Sequence, residues 1–125
     1  MSNLRILPVS FVFSGSGGTL TASLPVDPGL SYKLYSLTEY HSAGGAGLSY
    51  SFNFQLQGLA FPYFQNPINN DAILSVDPTN NLTEAKFRFA VPIFVPKGSG
   101  VDVTVINLAG AANNIELAFQ ALRTL

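Results

Sequence analysis

The chain has 125 residues, of which 47% are hydrophobic and only 10% are charged, and its net charge is −1. This length predicts one domain, residues 1–125, which can bury a core without disulfides or metals. The six basic residues are scattered, so we expect no nucleic-acid partner. Cysteine is absent, no apolar run reaches the ~20 residues of a membrane helix, and no segment resembles a signal peptide. We therefore expect a chain that folds in the cytoplasm where it is made, without a membrane partner.

The low charge also bears on the surface of the folded protein. Soluble domains usually carry roughly 25% charged residues, which keep free monomers apart in water. A chain with 10% charged residues is therefore expected to cover part of its surface with partner chains. The alternative is a neutral surface built from Ser, Asn, Thr and Gln, which this sequence also contains.

The apolar residues alternate with polar ones along most of the chain, which is the pattern of half-buried strands. Gly and Pro, 11 and 8 residues, recur too often for long helices. The pattern predicts eight strands, over residues 4–13, 19–26, 31–40, 48–57, 72–76, 84–95, 101–107 and 114–125.

The phase of each predicted strand assigns its side chains to two faces. In the clearest strand, residues 48–57, the aromatic residues point one way, whereas Ser51 and Asn53 point to solvent. Proline cannot donate to a sheet, so Pro8 places the first half of the first strand at an edge, and Pro92 and Pro96 place the end of the sixth strand at an edge or a bulge. The inward sets include Val9, Phe11 and Phe13; Leu20, Ala22, Leu24 and Val26; Phe87, Phe89, Val91 and Ile93; Val101, Val103 and Val105; Ile115, Leu117, Phe119 and Ala121; in the third strand, Tyr32 and Leu34 lie opposite Tyr35 and Leu37.

Eight strands without intervening helices predict an all-β fold, a two-sheet antiparallel sandwich of the eight-stranded jelly-roll type. An immunoglobulin-like sandwich usually has seven strands and often a cysteine pair and a core tryptophan, and this chain has neither residue. A closed lipocalin-like barrel fits less well because Gly and Pro interrupt the strands. The jelly roll is therefore the expected architecture.

The residues that could carry chemistry are few. His41 is the single histidine, and Glu39, on the same strand face, is the acidic residue nearest to it in sequence. A metal site needs two or more ligands at defined spacing, so we expect an exposed pair at a strand end and no metal. The sequence contains no nucleophile motif, and the turn-flanking carboxylates are suited to bonding their own backbone. We therefore predict no catalytic residue, no cofactor and no enzymatic activity. These turn carboxylates are Asp27, Asp71 and Asp77.

The irregular segment 58–70 contains three aromatic residues that are candidates for an interface, Phe61, Tyr63 and Phe64. Large aromatic side chains anchor protein interfaces. The same residue types form sugar-binding platforms. A third interpretation is that the loop folds back over the open end of the sandwich and covers its core.

The second half of the chain also carries a resemblance. A strand ends in the turn Pro96-Lys97-Gly98, a Val-x-Val-x-Val strand follows at 101–105, and a small-residue loop at 107–113 leads to the last strand. This resembles the C-terminal half of small jelly-roll decoration, or cement, proteins of bacterial viruses, over roughly a third of the chain.

The resemblance implies a structural protein on the capsid surface of a virion. Such a protein binds the major capsid protein, forms homodimers or homotrimers and has no active site. The alternative function is a carbohydrate- or receptor-binding jelly-roll module of a viral fibre or spike.

Overall fold

A computed structural model describes residues 4–41, 50–69, 85–108, 110 and 112–124, and all the regular structure in these residues is β-strand. They contain no helix, so no helix that could cross a membrane occurs among them. The strands are β1 (Leu4–Phe13), β2 (Thr19–Ser23), β3 (Ser31–His41), β4 (Tyr50–Leu56), β5 (Ile68–Asn69), β6 (Ala85–Val95), β7 (Val101–Asn107) and β8 (Asn113–Thr124). The predicted all-β class is confirmed.

The strands form two four-stranded antiparallel sheets. Sheet I has the order β1-β8-β3-β6 and sheet II has the order β2-β7-β4-β5. Each strand of the first half pairs with the strand at the same position counted back from the last strand: β1 with β8, β2 with β7, β3 with β6 and β4 with β5. The chain is thus one long hairpin rolled up so that its strands alternate between two sheets, which is the jelly-roll arrangement.

The core lies between the sheets and follows the predicted alternation most closely in β7 and β8. The inward residues of these two strands are at most 2% exposed, and full burial of one such side chain contributes about 1.5–3 kcal/mol. In β1, Leu7 joins the predicted inward residues, and β1 lies at the edge of sheet I as Pro8 predicted. The inward residues of β7 and β8 are Val101, Val103, Val105, Ile115, Leu117, Phe119 and Ala121.

Strand β3 departs from the predicted phase because it contains a bulge. Its register against both neighbours shifts between Leu34 and Ser36, so Tyr35 is the extra residue. A bulge adds one residue to a strand and thereby reverses the faces beyond it. Leu34 and Leu37 are consequently both fully buried on the inner face, and the prediction that they lie on opposite faces was wrong.

Strand β6 is irregular opposite the same bulge. Leu34 pairs with Ile93 and Ser36 pairs with Arg88. A separation of two residues on β3 therefore lies opposite a separation of five residues on β6. Val91 lies in this interruption and is 74% exposed, although its phase predicted an inward position. β6 is also an edge strand, which confirms the placement that Pro92 predicted.

Three further predictions change in detail. Ser51 and Asn53 are only 9% exposed, so the first part of the β4 face that was predicted to meet solvent is covered, whereas Gln57 at its far end is exposed. β2 ends at Ser23, although Leu24 beyond it is still buried. β5 lies at Ile68–Asn69, inside the segment predicted to be irregular, while the strand predicted at 72–76 lies outside the described residues.

Candidate interaction surface

The loop between β4 and β5 is held against β4 by hydrogen bonds to its backbone. The N–H of Tyr63 donates to the carbonyl of Phe54 at 2.8 Å. The Asn53 amide donates through Nδ2 to the carbonyl of Phe64 at 3.0 Å, and its Oδ1 accepts from the N–H of Phe64 at 3.1 Å. A side-chain amide that satisfies both backbone groups of one residue fixes that residue in place. The aromatic loop is therefore fixed to the sandwich, and its contact with the Asn53 side chain explains why Asn53 is buried.

Phe64 packs into the core. Its half-buried ring lies edge-on to Phe52 and to Phe54, with 5.8 Å between centroids in each case. It also lies 6.4 Å from the ring of Phe87, so the loop joins aromatic residues of both sheets. Edge-to-face pairs of this kind each add about 0.5–1.5 kcal/mol beyond area burial. Phe64 thus covers the core, as the third interpretation of this loop predicted.

Tyr63 has one face against the core and one edge in solvent. Its ring stacks on Phe54 at 4.7 Å with an angle of 15° between the planes, and it lies 5.5 Å from Phe89. The side chain nevertheless remains 43% exposed. Tyr63 is therefore positioned rigidly, and a rigid, half-exposed aromatic ring loses little conformational entropy when it binds a partner.

Phe61 projects away from the core and is 81% exposed. Together with Leu59 and Tyr63 it forms the wall of an apolar groove of about 280 Å³, which we call the loop groove. Its remaining lining residues are Phe54, Leu56, Pro62, Ile93 and Val101. The Tyr63 hydroxyl is the one polar side-chain group among these lining residues, so the groove suits an apolar side chain of a partner better than a sugar, whose several hydroxyls need hydrogen-bonding groups.

The structure therefore separates three residues that the sequence grouped together. Phe64 packs against the core, Phe61 is exposed to solvent, and Tyr63 packs on Phe54 with one side while its other side is exposed. The assignment of this loop as an interface stays a prediction. A sugar platform here would have to use other amides, since that of Asn53 is bonded to the loop backbone.

A second surface, which sequence reasoning missed, lies on the outer face of sheet I at the end that contains the start of β1. Two rows of residues cross the sheet there, and we call them the basic face. One row is Ile6, Gln120, Ser36 and Arg88; the other is Leu4, Leu122, Lys33 and Phe94. Next to the β3 bulge this face contains an open depression of about 470 Å³, lined by Leu4, Tyr35, Ser36, Arg88, Phe89, Gln120 and Leu122.

The structure places Glu39 of the predicted Glu39–His41 pair in the interior. Glu39 is 2% exposed, so the expected exposed pair at a strand end was wrong for this residue. Beyond the β3 bulge Glu39 has the same inward phase as Leu37, whereas the side chain of His41 lies outside the described residues. The described residues contain no group of three or more His, Asp or Glu side chains that could hold a metal ion.

Asp102 links three strands on sheet II. Its Oδ1 accepts from the hydroxyl of Ser23 at 2.6 Å and from Nε2 of Gln57 at 2.9 Å. These two hydrogen bonds stabilise the charged form and hold the pKa of Asp102 below its ordinary value of 3.8. The carboxylate therefore has a structural role in joining β2, β7 and the end of β4.

Comparisons with known proteins leave the family open. No protein-family model matches the chain, and no curated protein matches it. Among solved structures, it has a weak similarity to the crystal structure of dimeric latent PorU from Porphyromonas gingivalis, with 21% identity and a TM-score of 0.25. The match covers 96% of this chain but spans only 10% of that chain. A similarity this weak bears on neither the fold nor the function of the chain.

Proposed function

We propose that this protein is a structural component of a virus particle, a capsid decoration protein that binds the major capsid protein and stabilises the shell. The observation that carries the proposal is the exposed apolar surface of a jelly roll with very little charge. Ten large hydrophobic side chains among the described residues are 40–81% exposed. Where such side chains lie together, they form apolar patches of the kind that other proteins cover.

The exposed residues include two groups with a defined structural context. Leu59, Phe61 and Tyr63 line the loop groove, while Leu4, Ile6 and Phe94 lie on the basic face. Burial of one such side chain contributes about 1.5–3 kcal/mol. Two separate surfaces allow one copy to contact two neighbouring subunits, and repetition over many copies multiplies a modest affinity per site. This is what a protein that clamps a shell requires.

The resemblance of the Pro-Lys-Gly turn and the strands around it to decoration proteins supports the same role. The jelly-roll strand order is compatible with this resemblance, because it is the fold that the resemblance implies. The described surface offers apolar contacts in the loop groove, and binding by contact requires no reacting group. We therefore assign a binding role and no catalytic one.

The proposal is tested on virus particles purified from the source of the sequence and on the isolated chain. Mass spectrometry of the particles should find the chain in a fixed ratio to the major capsid protein. Sedimentation velocity of the isolated chain should show dimers or trimers, and Phe61→Ser should weaken particle binding without changing the fold. Absence of the chain from the particles would refute the proposal, as would a strict monomer whose binding to particles is unchanged by Phe61→Ser.

A further inference from the structure

The basic face combines positive charge with exposed apolar side chains. Lys33 and Arg88 lie in adjacent rows on this face, and both are exposed. Leu4, Ile6 and Phe94 are 46%, 59% and 53% exposed in the same two rows. The sequence separates the two cations by 55 positions, and the pairing of β3 with β6 brings them together.

The charge of this face is not neutralised nearby within the described part of the chain. Arg88 makes no hydrogen bond or ion pair with any described residue. Glu116 is the carboxylate that β8 contributes to the outer face, and it lies four positions from Gln120 along the strand. At about 3.3 Å per residue this is about 13 Å, which exceeds the Debye length of about 8 Å at physiological salt. Arg88 is thus a cation without an acidic neighbour among these residues.

The depression beside Arg88 also holds hydrogen-bonding groups. Ser36 is 2% exposed, and its hydroxyl donates to Oε1 of Gln120 at 3.0 Å. This bond fixes the amide of Gln120 and leaves its Nε2 group as a donor at the depression. Ser36 directly follows the bulge at Tyr35, and bulges often redirect side chains next to binding sites. A guanidinium and an amide N–H group on one depression form a receptor for a carboxylate.

We infer that the basic face binds an acidic segment of a protein partner, in which carboxylates alternate with apolar side chains. Arg88 forms a two-pronged hydrogen-bonded pair with one carboxylate, which is the geometry that a guanidinium favours. Lys33 adds a second positive charge one row away, and Leu4, Ile6 and Phe94 contact the apolar residues of the segment. The inference rests on the proposed function in taking the partner to be a protein.

The experiment uses the full chain and two synthetic peptides as probes. One peptide alternates leucine and aspartate, and the other replaces each aspartate by asparagine. Titration of the isotope-labelled protein followed by NMR should show saturable shifts at Ser36 and Gln120 with the acidic peptide only. Arg88→Gln should weaken binding of the acidic peptide about tenfold or more, because a hydrogen-bonded charge pair is lost. Lys97→Gln removes the same charge from an exposed turn and should change the affinity less than twofold.

Several results would overturn the inference. Equal binding of the two peptides would do so, as would equal effects of Arg88→Gln and Lys97→Gln. A heparin-derived oligosaccharide that binds more tightly than the acidic peptide, and loses this binding in Arg88→Gln, would show that the anion is a sulfated sugar. Particle binding that depends on Phe61 but not on Arg88 would refute this inference and leave the proposed function intact.

Discussion

The two contrasting residues of the aromatic loop give the sharpest test of the structure. We expect Phe64→Ala to destabilise the protein and Phe61→Ala to leave its stability unchanged. Truncation of a fully buried phenylalanine costs about 3–5 kcal/mol. The ring of Phe64 is half-buried against three core rings, so we expect about 2–3 kcal/mol. Phe61 is 81% exposed, and its truncation should change the free energy of unfolding by less than about 0.5 kcal/mol.

The measurement is urea unfolding followed by circular dichroism and by tyrosine fluorescence, since the chain has no tryptophan. For a domain of this size, a loss of 2–3 kcal/mol lowers the Tm by about 10 °C. The denaturant dependence of the unfolding free energy should be the same in both variants, which shows that the folded states remain compact. Equal stability of the Phe64→Ala variant and the original protein, or an equal loss in Phe61→Ala, would refute the placement of this loop.

Three other substitutions test separate parts of the fold. Asn53→Ala should cost about 1–3 kcal/mol in urea unfolding, because it removes the side-chain partner of the N–H and the carbonyl of Phe64; an unchanged midpoint would contradict these bonds. The pKa of Asp102 is lowered on folding, so its contribution to stability is present above pH 3.8 and is lost as the pH falls through the folded-state pKa. Asp102→Asn should therefore reduce the loss of stability between pH 7 and pH 3, and an identical pH profile would count against the two hydrogen bonds. Phe52→Asp should abolish folding because it buries an unpaired charge, whereas Ser10→Asp on the exposed side of β1 should fold normally, as circular dichroism would show.

The bounds of several strands could be predicted because they depend on local signals. β1 and β7 begin and end where the alternation of apolar residues begins and ends. β3 differs from its predicted range by one residue at its C-terminal end, and β8 differs by one residue at each end. A two-residue period assigns side chains to faces without any knowledge of the neighbouring strands. Prolines add a local signal of the same kind, since Pro8 and Pro92 have no N–H for an inner strand position.

Other features could not be predicted because they depend on contacts between distant segments. The bulge at Tyr35 arises from the pairing of β3 with β6 and β8, and it moves Leu37 and Glu39 onto the inner face. Asn53 has the phase of a solvent-facing residue, but the loop backbone eleven residues later covers it. A strand pattern carries no information on which later segment packs against its polar face.

The same division holds for the candidate surfaces. An exposed aromatic loop could be proposed from composition, because three large rings in an irregular segment are a local signal. Which ring faces the core and which faces solvent was decided by the packing of Phe64 between the two sheets. No local sequence pattern indicates the basic face, because Lys33 and Arg88 become neighbours only through the pairing of β3 with β6. Alternation along a chain specifies strands and their faces, while register between strands specifies which side chains share a surface.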